Sequence, residues 1–540
     1  MGPMKPRLLI LGVDGADPHI IEKLRQQGAM PHLDALARQG CLCALPSTIP
    51  PTTFPAWTSF FTGTTPSVHG VTDFTVRRGY AVRFTGAGQR RTTTFLRHLS
   101  NCGSSVGAAW FPATYPPESV DGWQVSGWDS PVTDRGDASF VFPPPLHREL
   151  LSQFGRDHLQ FNAIDEFADR PGWYEDAAAA LVRRVHRRAQ MAAWLLAHHP
   201  VDVAAFYFGE TDTVAHHFFA CHDPQSPRRP AQVSPTAAAA VENVYRAVDE
   251  ALGLLQQTVS SDTAIIVVSD HGSSGNSDIV VHLNRFLAEE GLLQFKKSPS
   301  LLSRLPLSRA LPARLIPGFA RRRAFQLMGG LFPSLYESAL RFSGIDFPNT
   351  SAFSEELPYA PAIWVNQLGR DPRGTVKFRD IPRIQQRIED GASRWRHANG
   401  TPVIAAIHPR AALHDGPLAH RFPDFILQLS NVNGYQPVCL SSRGHPGPSL
   451  SRLSPDEYGG RKGCSMPGGH GPSGIFACSR ADVAMPGSLH EATSIVCRLA
   501  GAPPMENGAS PLSVPTTTGY TAREEQIVAA RLRRLGYLED

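Results

Sequence analysis

Short apolar runs alternate along the chain with stretches whose apolar positions recur at helical spacing. Residues 7–13 (RLLILGV) form an apolar run that predicts a buried strand, closed by Asp14-Gly15. Ile20, Ile21 and Leu24 predict a helix over 20–27 that stops at Gly28. Leu33, Leu36 and Ala37 predict a second over 31–39 that stops at Gly40. Further strands are predicted at 105–110, 203–208, 265–268 and 474–478, and long helices at 178–198 and 241–259. Strands alternating with helices imply an α/β fold, a doubly wound and mostly parallel sheet with helices on both faces. In such sheets function sits in the crevice at the carboxyl ends of the strands, so the polar residues that close the strands become the candidates.

Residues 273–465 read differently, with irregular periodicity and many Pro, Arg and Ser. They are read as an inserted cap that divides the core into 1–272 and 466–540. Within the cap, Lys296, Lys297, Arg304, Arg309, Arg314, Arg321, Arg322 and Arg323 occur with no acidic residue before Glu337. Such a run is a solvated face, or else a dock for an anionic substrate or membrane surface. Over all 540 residues the composition is 42% hydrophobic and 19% charged, which excludes disorder on the scale of the chain. The balance of 52 basic and 48 acidic residues, net +4, argues against nucleic acid as a partner. The eight cysteines are scattered without a CxxC pair, so free thiols are expected and no zinc ribbon is written. No signal peptide and no run of 18 uncharged apolar residues is found, and a cytoplasmic protein is the expectation.

Four segments carry candidate ligands. Asp14 closes the first strand; Asp212 and His216 stand four apart in ETDTVAHHF, on one face of a helical turn. Asp270 and His271 close the strand at 265–268, and His470 sits in the glycine-rich PGGHGPSG, read as a loop. Each has a plainer reading: a helix cap for Asp14, a surface pair for Asp212 and His216, turn chemistry for Asp270-His271, a solvated ring for His470. Jointly they supply three aspartates and three histidines, enough for two borderline divalent ions with positions left open. In PPTTFPAWTSFFTG (50–63), Thr53 is expected to cap a helix over 54–61 that ends near Gly63, with Pro55 tolerated in its first turn. That helix start offers N–H groups and a positive dipole end to a phosphate oxygen. The hydroxyl of Thr53, activated by a divalent ion, could then attack phosphorus in line; a cap alone is the competing reading.

The order Asp14, TTFPAWTSFFTGTTPSVHGV, ETDTVAHHF, SDHG and GGHGPSGIF resembles the alkaline phosphatase superfamily. It is most similar to the type I phosphodiesterase/nucleotide pyrophosphatase branch, in its bacterial and archaeal subgroup. ATYPPESVDGWQVSG (113–127), IDFPNTSAFS (345–354) and REEQIVAARLRRLGYL near the C-terminus extend the likeness over most of the chain. The resemblance implies an alkaline-phosphatase-like core with an inserted cap and a two-metal site, usually zinc, with manganese or iron also fitting the ligands. One ion would be held by Asp14, Thr53, Asp270 and His271, the other by Asp212, His216 and His470. The nucleophile, which precedes Phe-Pro in the family, falls on Thr53, with Thr52 beside it. The implied cycle is attack by Thr53, a phospho-threonine intermediate and hydrolysis by a metal-bound water. The expected partner is a small phosphate ester, a nucleotide among the candidates.

Neither arginine nor lysine occurs between Phe54 and His69, which favours diesters over the monoesters that an arginine clamp serves in related phosphatases. The sulfatase pattern C/S-x-P-x-R is absent at the nucleophile. The animal relatives are secreted and disulfide-bonded, and this chain shows neither sign. Two alternatives stand beside the phosphodiesterase reading. One is a phosphomonoesterase, phosphotransferase or mutase of the same superfamily. The other is a non-catalytic phosphate-ester or membrane-surface binding protein that uses residues 296–323.

Overall fold

The computed structural model describes residues 6–131, 138–155, 172–297, 333–459, 466–506 and 520–534. The first apolar run forms strand β1 (Leu8–Val13), buried at all six positions. In chain order there follow β2 (Cys41–Pro46), β3 (Val106–Ala109), β4 (Gly122–Val125), β5 (Val141–Phe142), β6 (Val203–Phe208) and β7 (Ala264–Val268). β8 (Gly272–Val281), β9 (Gly468–Gly471) and β10 (Ser473–Cys478) complete the strands around the site. Eight of these form one sheet in the order β2-β10-β7-β1-β6-β3-β4-β5. The five middle strands, β7 to β4, are parallel. At the edges β10 runs antiparallel to β7 and β2, and β5 antiparallel to β4. β10 breaks the parallel rule because no crossover helix precedes it; only Pro472 separates it from β9, so the chain folds straight back along the sheet.

The helices that matter here are α1 (Pro18–Gln26), α2 (Pro31–Gln39), α3 (Thr53–Thr62), α4 (Trp173–His198), α5 (Glu210–His222), α6 (Pro235–Thr258), α7 (Leu489–Leu499) and α8 (Ala522–Arg534). Alternation along β1 assigns them to two faces. Leu11 and Val13 line one small cavity together with Ile21 of α1, Leu33 of α2 and Tyr245 of α6, whereas Gly12 between them lies against Trp57 of α3. α6 begins six residues before the apolar periodicity does. Ser234 accepts the Ala237 N–H at 3.2 Å and Pro235 occupies the first turn, so capping starts the helix ahead of its hydrophobic stripe.

A second cluster of buried side chains, including Phe286, Phe353, Ile363, Trp395 and Leu427, lies apart from the core of the large sheet. It gathers about a four-stranded sheet ordered 352–353, 362–365, 425–429, 404–409. β8 connects the two regions. It pairs with β9 at Gly272–Gly275 and with 436–439 and 450–452 further on, so the division expected at 272/273 falls inside one strand. Of the basic run, Lys296 and Lys297 are exposed, and the arginines from Arg304 to Arg323 lie outside the described residues. Among the described residues no helix is long and apolar enough to cross a membrane.

Candidate active site

All seven residues singled out in the sequence meet at one place, where the carboxyl ends of β1 and β7, the first turns of α3 and α5, and β9 converge. Every one is at least nine-tenths buried. Asp14 leaves β1 with its N–H bonded to the Phe208 carbonyl (2.9 Å), so the end of β1 is fixed to the end of β6. Its Oδ2 accepts from the Tyr207 hydroxyl (2.5 Å) and the Trp57 indole N–H (3.2 Å). Its Oδ1 has no hydrogen-bond partner and lies 3.5 Å from His271 Nε2. Asp270 is arranged alike. Oδ1 accepts the Gly15 N–H (3.2 Å), while Oδ2 lacks a hydrogen-bond partner and stands 3.3 Å from the same His271 Nε2. Gly15 makes that turn with φ +62°, and a Cβ there would come within 3.0 Å of the Asp212 backbone, which side chains rarely tolerate.

On the other side α5 presents Asp212 and His216 one turn apart, with Asp212 Oδ1 3.1 Å from His216 Nε2. His470 completes the group, its Nε2 3.1 Å from His216 Nε2 and 3.7 Å from Asp212 Oδ1. It stands on β9, paired with Ser273 of β8, where a loop was expected. The glycines around it serve backbone packing. A Cβ at Gly468 would lie 2.1 Å from the Ala215 carbonyl oxygen, so glycine lets β9 sit directly on the turn of α5 that carries His216.

The three imidazoles share one orientation. Nδ1 of His216 faces the Gly468 carbonyl (2.9 Å), that of His271 the Gly272 carbonyl (2.8 Å), and that of His470 the Pro51 carbonyl (2.6 Å). A carbonyl only accepts, so each Nδ1 carries a proton and each Nε2 faces the site, where it offers a lone pair once deprotonated. This is how ligating histidines are held. Two lone pairs at 3.1 Å, as in His216 and His470, need a proton or a cation between them.

The carboxylates differ in electrostatics. Burial first, then the charge of Asp212, pushes Asp14 up to about 8. Burial and then Asp14 raise Asp270 well above the carboxylate range. For Asp212 burial acts in the same direction, but His216, His470 and His271 outweigh it and hold the group below its usual value. Among the described residues no lysine or arginine pairs with Asp14 or Asp270. Two buried carboxylates, each with an oxygen lacking a hydrogen bond, and three inward-facing Nε2 atoms form a donor set that fits divalent cations. Two groups have mutually close ligand atoms, Asp212 with His216 and His470, and Asp14 with Asp212 and His271. Asp212 belongs to both and so lies between the two.

Thr53 is fully buried at the start of α3, with Oγ1 3.4 Å from His271 Nε2. The N-cap is Thr52 and the helix starts at Thr53, one place earlier than expected. The correction follows from the backbone, since Thr52 is extended and its carbonyl already accepts the Ala56 N–H (3.1 Å). The Thr52 hydroxyl makes no cap bond. Sequence reasoning missed Trp57 and Tyr207, which hold Asp14, and Tyr359 from the cap region, whose ring stacks on His470 (4.6 Å, 11° between planes). Trp57 read as part of a buried helix and Tyr207 as part of a buried strand; nothing in 355–360 (EELPYA) marks Tyr359.

The fold is alkaline-phosphatase-like, a mostly parallel α/β sheet covered by helices. The model of the type I phosphodiesterase/nucleotide pyrophosphatase family matches residues 8–318, and the chain belongs to that family. Phosphonoacetate hydrolase from Sinorhizobium meliloti 1021, solved in complex with phosphonoformate, is similar in fold, with a TM-score of 0.52 and 16% identity over 93% of this chain and 100% of that one. An inactive form of murine ectonucleotide pyrophosphatase/phosphodiesterase 5, in complex with AMP, aligns with a TM-score of 0.48 and 12% identity over 93% and 96%. Among curated proteins none matches.

Proposed function

We propose that the protein hydrolyses phosphodiester or phosphoanhydride bonds of a small phosphate ester, nucleotides included, with Thr53 as nucleophile and two divalent ions, zinc by preference. Asp14, Thr53, Asp270 and His271 would hold one ion, and Asp212, His216 and His470 the other. The observation that carries this reading is Thr53 Oγ1 at the start of α3, 3.4 Å from His271 Nε2 and beside two buried carboxylates that pair with no lysine or arginine among the described residues. When bound, the ions supply positive charge that lowers the pKa of the threonine hydroxyl and stabilises charge on the phosphoryl oxygens.

The remaining work belongs to the chain. The first N–H groups of α3 have no intrahelical acceptor, and at the helix's positive end they receive a nonbridging phosphate oxygen. Thr53 Oγ1 bonds to phosphorus as the bond from phosphorus to the leaving oxygen breaks, the threonine proton ending on the departing oxygen, which leaves as an alcohol or phosphate. Water then attacks the phosphorus and the P–Oγ1 bond breaks, which restores Thr53. Burial of the threonine keeps bulk water from competing in the first step. The absence of arginine and lysine from 54–69 supports a diester, whose phosphorus carries one charge fewer than a monoester's.

The test is hydrolysis of bis-p-nitrophenyl phosphate and p-nitrophenyl phosphate by protein stripped of metal and reloaded with zinc or manganese. Metal-dependent turnover with preference for the diester is expected. Preference for the monoester would favour the phosphatase or mutase alternative, and turnover by stripped protein would overturn the metal requirement.

A further inference from the structure

The two oxygens of Asp14 are treated differently by the fold. Oδ2 receives two donors, the Tyr207 hydroxyl and the Trp57 indole, while Oδ1 receives none and faces His271. The Tyr207 oxygen in turn accepts the Trp128 indole N–H at 3.3 Å. Trp128 lies in the turn 127–130, closed by the Ser130 hydroxyl donating to the Gly127 carbonyl (2.6 Å). That turn is clamped from outside by α8. Arg531 donates to the carbonyls of Trp128 and Ser130, and Tyr520, just before α8, donates to Asp129 Oδ2 at 3.3 Å. Trp128 also packs against Phe54, the neighbour of Thr53 (5.6 Å between rings).

We propose that Tyr207 is a positioning residue which, braced by Trp128 and through it by Arg531 of α8, occupies Asp14 Oδ2 so that Asp14 ligates its ion through Oδ1 alone. This rests on the reading of Asp14 as a metal ligand. The donors to Oδ2 fix the plane of the carboxylate and rule out two-oxygen chelation, leaving a coordination position for substrate or water. α8 lies beyond the matched residues 8–318, so its hold on the ligand is a feature of this chain's C-terminal part.

The test separates the two ions. Zinc affinity is measured by chelator competition on the full chain in two backgrounds, His216→Ala, which should retain only the ion at Asp14, and Asp14→Ala, which should retain only the other. Tyr207→Phe is expected to weaken zinc about 10- to 100-fold in the first background and to leave the second unchanged. Trp128→Phe and Arg531→Met should act in the same direction with successively smaller effect. Equal weakening in both backgrounds would mean general loosening and would overturn the proposal, as would no weakening in the first. If the parent chain loses no ion on either His216→Ala or Asp14→Ala, the metal-site reading itself fails, a result distinct from failure of the Tyr207 role.

Discussion

The two halves of the site are built from similar residues and are opposite in charge balance. On the sheet side, Asp14 and Asp270 share one imidazole, His271, and burial raises both carboxyls. On the helix side, Asp212 alone faces His216 and His470 and is held low. The first half is unbalanced until a cation arrives; in the second the acid is held low chiefly by His216, which Asp212 raises in turn. The difference follows from where the residues originate. Parallel strands that end side by side bring their terminal carboxylates together, whereas a helix turn and an antiparallel strand can set imidazoles around one acid.

The most damaging change to the sheet side is loss of the nucleophile. Thr53→Ala should lower turnover of bis-p-nitrophenyl phosphate by at least ~10³-fold while metal content, read by elemental analysis, stays near that of the parent. Appreciable residual turnover would move the role to Thr52. The next break tests the shared ligand. His470→Ala should remove about one ion per chain, and Asp212→Ala at least as much, because Asp212 borders both groups. Unchanged stoichiometry in either would sink the assignment.

Titration should show the two halves with opposite sign. Folded Asp14 keeps its proton to about pH 8, against 3.8 as its usual value, so between these limits the unfolded chain binds fewer protons and stability falls as pH rises. Asp14→Asn should therefore raise the melting temperature of metal-free protein at pH 8, with the gain gone near pH 4. Asp212 is held low, so its contribution is present above the usual carboxylate range and lost as pH falls. Asp212→Asn should lower the melting temperature at pH 8. Like signs for the two variants would contradict the contrast. The smallest effect is expected from the cap. Tyr359→Ala removes a ring stacked on His470 and should weaken the helix-side ion by about 0.5–1.5 kcal/mol, a few-fold in zinc affinity, while Tyr359→Phe keeps the affinity of the parent.

Much of the central sheet was legible in the chain. β1, β6 and β7 are buried on both faces and read as unbroken apolar runs, and their closing residues pointed to the site. Asp212 and His216 were legible through helical spacing. β2, with a burial pattern that follows neither a continuous nor an alternating run, was not. Nor were the strands of the cap, where pairs of two to six residues leave no periodicity to read. The supports of the site were hidden for another reason. Trp57, Tyr207 and Trp128 are ordinary core aromatics in sequence, and only the fold turns their single polar atoms toward Asp14 and one another.

Turnover is expected to depend on this cluster as a two-ion centre. The most direct test of this dependence is the hydrolysis rate of bis-p-nitrophenyl phosphate as metal-free protein is titrated with zinc, bound metal being counted in the same samples. No turnover is expected without metal, and the rate should reach its plateau at two ions per chain. A plateau at one ion, or full turnover with none, would contradict it.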